Sequence, residues 1–187
     1  MARRKTISDE QIHDILLDTI LETGPAGLTF ARAAADCGLA PATLVQRYGD
    51  REAMVQAILL RAWDVLDAET EAADAEEESS PQGAIEVLIR LMPTDVAERN
   101  ATDGLLLLRE DIRNPALRAR GAAWGRALVK ALGRRLSNDP ERGERLGWQM
   151  ASLWQGAHTW WAFTQDEPAE RAIRRVLEQW LRDMKVA

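Results

Sequence analysis

Cysteine and histidine are almost missing from this chain, which holds one of the first and two of the second. Cys37 cannot form an internal disulfide, which fits a reducing compartment, and it reads either as a small core residue or as a redox sensor. His13 is expected exposed on the polar side of the first helix, and His158 lies far along the chain. Zinc-ligand spacing, a Gly-rich phosphate loop and a nucleophile elbow are all missing, and paired carboxylates occur only as surface runs. The expectation is a protein that is not an enzyme and needs no metal or cofactor. Long apolar runs are missing too. Arg3, Arg4 and Lys5 precede no apolar stretch of signal-peptide type, so a cytoplasmic protein without a membrane partner is expected. Positive charge is scarce: the formal net charge is −6, and residues 64–78 contain Asp64, Asp67, Glu69, Glu71, Asp74 and Glu76 to Glu78 without one Lys or Arg. Such a balance excludes a nonspecific nucleic-acid coat, which gains its affinity by releasing counterions through many cations. A sequence-specific reader stays open, because local charge decides there. The basic arm Arg3–Lys5 suits phosphate or a minor groove, or is a terminus that is merely basic.

Clusters of β-branched residues are also missing, and apolar positions recur at three and four residues, so the fold class is all-α with about nine helices. Ser8 with Gln11 has the spacing of a capping box. Ile12, Ile15, Leu16, Thr19 and Ile20 then give one apolar face before Gly24 closes the first helix. Asp50 suits the cap of the fourth helix, which carries Met54, Ala57, Ile58, Arg61, Trp63 and Leu66; Glu76 to Ser80 reads as a linker. Later helices are expected near 82–92, 94–112 with Asn100 as a candidate break, 115–137, 140–164 and 168–185. Thr94, Asn114, Asp139 and Glu167, each beside a proline, are placed at their starts.

Residues 28–60 carry the most information. Thr29 can cap a helix driven by Ala31, Ala33, Ala34 and Ala35, and Gly38 ends it where a left-handed residue is wanted. Pro41 suits the first position of the next helix, since its fixed φ fits and its missing N–H has no partner there anyway. The short helix Pro41–Tyr48 presents Ala42, Thr43, Gln46 and Arg47, small or long enough to enter a major groove and meet base edges. This is a helix-turn-helix with a recognition-helix candidate.

From Ser8 to Trp63 the chain resembles the DNA-binding domain of TetR-type transcriptional repressors. The matching pieces are Gly24, Gly27-Leu28-Thr29-Phe30, the alanine-rich segment Ala31 to Cys37, Gly38-Leu39-Ala40, Thr43-Leu44-Val45-Gln46-Arg47-Tyr48 and Arg51-Glu52-Ala53-Met54. The resemblance implies a helix-turn-helix domain over 1–60, a helical ligand-binding and dimerisation domain over 61–187, and a homodimer on a near-palindromic double-stranded operator. It divides the reading residues: Thr43, Gln46 and Arg47 toward bases, Thr29, Tyr48 and Arg51 toward phosphates. Three positions depart from the family pattern. Ala40 replaces a serine cap, Val45 replaces a phosphate-contacting tyrosine, and Arg51 replaces a lysine. Val45 is expected to pack locally; the alternative is altered or weak operator binding, which would leave a small-molecule-binding or protein-interaction module on the same scaffold.

Six of the seven tryptophans fall after residue 120: Trp124, Trp148, Trp154, Trp160, Trp161 and Trp180. Tryptophan favours sites that bury the ring and satisfy its N–H, and aromatic walls with few polar groups line pockets between helices. Met150, Trp154, His158 and Trp161 share one helix face. With Trp124 they read either as core with a satisfied histidine or as the wall of a site for an apolar, aromatic effector. Gly156, Trp160 and Phe163 on the opposite side, and Ile173, Leu177 and Trp180 on the last helix, form a candidate dimer interface of four helices.

Overall fold

The computed structural model describes residues 7–92 and 94–185, and their side chains except at 94–96, 99–100 and 102–105. The arm Arg3–Lys5 and Pro93 lie outside the described residues. Among these residues the secondary structure is entirely helical, in the order α1 (Asp9–Gly27), α2 (Phe30–Cys37), α3 (Pro41–Tyr48), α4 (Arg51–Glu76), α5 (Pro81–Leu91), α6 (Thr94–Arg113), α7 (Pro115–Leu136), α8 (Pro140–Thr164) and α9 (Ala169–Asp183). The described residues pack as two compact units, one drawn from 1–64 with 103–120, the other from 65–102 with 121–187. The helix α6 runs through Asn100 without a break.

Local chemistry sets most boundaries. Ser8 accepts a hydrogen bond from the Gln11 backbone N–H while the Gln11 side chain accepts from the Ser8 N–H, which completes the capping box at α1. Gly24 takes φ 70°, interrupting α1 one residue before Pro25. Asp50 accepts from the Ala53 N–H, Asn114 from the Ala116 and Leu117 N–H groups, and Asp139 from the Arg142 N–H. Ser80, which was not singled out in the sequence, caps α5 through the Gly83 N–H. Glu167 does not cap α9: the cap position is Pro168, which has no side-chain acceptor.

In the first unit, Ile12, Leu16 and Ile20 recur every four residues and are fully buried against Leu28, Ala33, Ala34, Leu44, Met54 and Ile58. The two small alanines let α1, α2 and α3 come close, while each fully buried Leu or Ile contributes roughly 1.5–3 kcal/mol of transfer free energy. Leu117 completes this core from α7. A buried hydroxyl links two of the helices, since Thr19 donates to the Asp36 carboxylate at 2.9 Å.

The second unit is built on α5, with Ala84, Ile85, Val87, Leu88 and Ile89 all buried, and on the inward stripe Ala169, Ile173, Leu177 and Leu181 of α9. Helices α7 and α8 approach closely: a Cβ on Gly133 would meet the Gly143 carbonyl at 2.7 Å, and one on Gly147 would meet the Val129 carbonyl at 2.5 Å. Arg135 is buried, yet every visible demand on it is met. It donates to the backbone carbonyls of Ala131, Asp74, Glu77 and Glu78 and to the Asp74 carboxylate, so it closes the C-terminal end of α4. Burial pushes the Asp74 carboxyl up, but hydrogen bonds from Arg135 and Arg134 outweigh it and hold the group below its ordinary range.

Candidate nucleic-acid interface

The turn before α3 is assembled from three local devices. Thr29 accepts a hydrogen bond from the Arg32 N–H at 3.2 Å, capping α2 and leaving its own O–H free to donate. Gly38 takes φ 64°, its N–H directed at the Ala34 and Ala35 carbonyls, and Leu39 N–H donates to Ala34 at 2.9 Å. Pro41 then opens α3, where Ala40 supplies no side-chain cap. Within α3 only Leu44 is buried, and it faces the core. At 100° per residue Ala42 and Gln46 stand opposite Leu44, with Thr43 and Val45 on either flank. All four are exposed. Val45 is 44% exposed, so it does not pack locally as the sequence suggested; the core beneath α3 is already filled by Leu44.

Three of the expected DNA-contacting side chains turn elsewhere. Arg47 pairs with the Asp9 carboxylate at 2.7 Å, at the start of α1. Tyr48 packs on the core with its ring centroid 6.1 Å from that of His13, and its hydroxyl is shielded from solvent. It therefore does not present that hydroxyl to a phosphate, and burial pushes its pKa up. His13 in turn is half-buried rather than exposed. Arg51 donates from Nε to the Leu28 carbonyl at 2.7 Å and from Nη2 to the Pro25 carbonyl, pinning the connection between α1 and α2. Cys37 is partly buried against the same core, and desolvation raises its thiol pKa. Arg32, which was not singled out in the sequence, is an exposed cation at the start of α2, paired with Asp36 at 2.8 Å. Its bond to Asp36, followed by that from Thr19, holds the Asp36 carboxyl below its ordinary range.

In the second unit, Trp124, Met150, Trp154 and Trp161 are buried and His158 is half-buried. Trp124 Nε1–H donates to Thr70 Oγ1 at 2.9 Å and Trp161 Nε1–H to the Glu167 carbonyl at 2.7 Å. His158 stacks on Trp161 at 5.9 Å with Nε2 3.3 Å from the Ala97 carbonyl. Trp154 differs: its Nε1–H is buried and finds no acceptor among the described residues. Two grooves of about 490 and 560 Å³, one in each unit, take no lining residue from this set.

The residues expected at a dimer interface divide. Trp160 and Phe163 are 73% and 78% exposed, with ring centroids 5.8 Å apart. A Cβ on Gly156 would meet nothing within 4 Å, and Trp180 is half-buried. Ile173 and Leu177, by contrast, are fully buried within the protomer. They are unavailable to a partner because the inward stripe of α9 packs on α5 and α8 of its own unit. Among the described residues no group of three His, Cys, Asp or Glu side chains is placed to hold a metal ion. No described helix is long and apolar enough to cross a membrane.

No family model and no curated protein matches the chain. Solved structures do. The chain is similar to a TetR transcriptional regulator from Legionella pneumophila, 15% identical, with a TM-score of 0.68 over 95% of this chain and 98% of that one. It is also similar to PfmR, a TetR family transcriptional regulator from Thermus thermophilus, 22% identical, with a TM-score of 0.59 over 92% and 97%. At these identities the likeness establishes the fold, which is the all-helical fold of TetR-family transcriptional regulators.

Proposed function

We propose that the chain is a TetR-type transcriptional regulator that binds a near-palindromic operator as a homodimer and is released from it by a small apolar effector. The observation that carries this reading is the division of α3, whose one buried residue, Leu44, anchors it while Ala42, Thr43 and Gln46 stand in solvent. A helix so anchored offers donors, acceptors and a methyl group to base edges in a major groove. Thr29 O–H and Arg32 lie on the neighbouring helix start as phosphate partners. Arg47 reaches a base edge only by leaving Asp9, and Arg51 reaches phosphate only by leaving the Pro25 and Leu28 carbonyls, so their part in binding is smaller than the sequence suggested.

Exposed Trp160 and Phe163, beside the open surface of Gly156, support dimerisation through α8. The Trp154 N–H, without an acceptor among the described residues, supports an effector site in the second unit, because a buried donor without an acceptor costs about 1–3 kcal/mol that a ligand oxygen or nitrogen would relieve. An effector acts as an inducer only if it binds better to the arrangement that misfits the operator. None of these steps requires catalysis or a cofactor. A second reading, a ligand-binding module with weak DNA affinity, is favoured by the engagement of Arg47 with Asp9 and of Arg51 with the Leu28 carbonyl, by the shielded Tyr48 hydroxyl and by the net charge of −6.

A mobility-shift titration with DNA from the protein's own upstream region, at about 50 and about 200 mM salt, separates the two. A salt-sensitive, sequence-selective shift supports the regulator. Equal, weak binding to all DNA at both salt levels would establish the module instead.

A further inference from the structure

A groove of about 560 Å³ runs between α7 and the first half of α8, lined on α7 by Arg126, Val129, Lys130 and Arg134 and on α8 by Glu144 and Trp148. Its floor is backbone. Gly133 and Gly143 both line it, and each would place a Cβ within 3 Å of the other's carbonyl oxygen. The two backbones thus approach too closely here for any side chain at either position. The groove is therefore set by helix packing rather than by loop position.

The lining of this groove is cationic, with three cations to one carboxylate, in a chain that is −6 overall. Arg134 is paired with Asp74 at 2.6 Å. Arg126 and Lys130, one turn apart on α7, have no carboxylate partner among the described residues, and neither does Glu144. Ser137 and Asn138 add neutral hydrogen-bonding groups at the same end. Trp148 is 45% exposed, so an indole face and two unengaged cations border one space of small-molecule size.

We propose that this groove is a binding site for a small aromatic carboxylate, its ring against Trp148 and Val129 and its carboxylate between Arg126 and Lys130. A monoanion fits better than a polyanion, because Glu144 opposes further negative charge. The site is separate from the core around Trp154 and does not depend on the proposed effector mechanism.

Calorimetric titration of the full chain with naphthoate and with its uncharged counterpart naphthylmethanol tests the assignment. Naphthoate is expected to bind about tenfold or more tightly than the alcohol, a preference of the size that charge-assisted hydrogen bonds provide. Arg126→Ala with Lys130→Ala should remove that preference, and Trp148→Ala should weaken both ligands. The proposal is overturned by equal binding of the two compounds, by no binding of naphthoate at millimolar concentration, or by sensitivity to Trp154→Ala without sensitivity to Arg126→Ala and Lys130→Ala. It is likewise overturned if the double variant turns a dimer into a monomer in sedimentation, which would make the groove a contact between copies of the chain.

Discussion

Helices α3 and α8 both leave side chains in solvent, but of opposite kinds. On α3 the exposed set is Ala42, Thr43, Val45 and Gln46 around a single buried leucine. On α8 it includes Trp148, Trp160 and Phe163, while Met150, Trp154 and Trp161 of the same helix are buried. An exposed glutamine or threonine is already well solvated and gains from a partner only where that partner supplies matching donors and acceptors. An exposed tryptophan or phenylalanine gains from any apolar surface that removes it from water. On the proposed function, specificity belongs to α3 and adhesion to α8.

The largest expected effect breaks the α8 side of this contrast. Trp160→Glu with Phe163→Glu should convert a dimer into a monomer at micromolar concentration in sedimentation velocity, since aromatic anchors at an interface cost roughly 2 kcal/mol or more each when lost. The helical circular dichroism should stay unchanged, because both rings are already in water. A dimer that survives the pair would move the interface away from α8. On the α3 side, Gln46→Ala should cost roughly 1–3 kcal/mol of operator affinity at particular base pairs. Val45→Ala should cost little, and a uniform loss for both across all sequences would remove base reading from this face. The smallest effect sharpens the local reading: Ala40→Ser should raise the unfolding free energy by about 0.5–2 kcal/mol, by giving α3 the side-chain acceptor that it lacks. Chemical denaturation measures it, and no gain would mean that Pro41 and the turn already fix this helix end.

The helix-turn-helix was legible because its signals act within a few residues. Thr29 caps through Arg32, Gly38 supplies the left-handed turn, and the Ser8–Gln11 box forms as its spacing predicts. The direction of Arg47 and Arg51 was not legible in the same way. Both are long cations on or beside α3, and nothing nearby in sequence reveals that Asp9 or the Pro25 carbonyl stands within reach. Arg135 is the extreme case, for its partners lie around Asp74 to Glu78, far back in the chain. The stripe on α9 shows a related limit. Its periodicity predicts an apolar face, but Ile173 and Leu177 are identical in character whether that face meets α5 and α8 or a second copy.

By itself the sequence determined the all-helical class, most helix starts and the place of the short helix α3, since propensity, capping and proline or glycine geometry are settled by neighbours along the chain. Only the tertiary structure decided that Tyr48 and Val45 exchange the buried and exposed roles first assigned to them, that Leu117 completes the core beneath α1 to α4, and that the Trp154 N–H meets no acceptor among the described residues. Each of those outcomes depends on which atoms arrive from a distant segment. A side chain's burial and its partner are properties of that meeting, and periodicity along one helix carries no record of it.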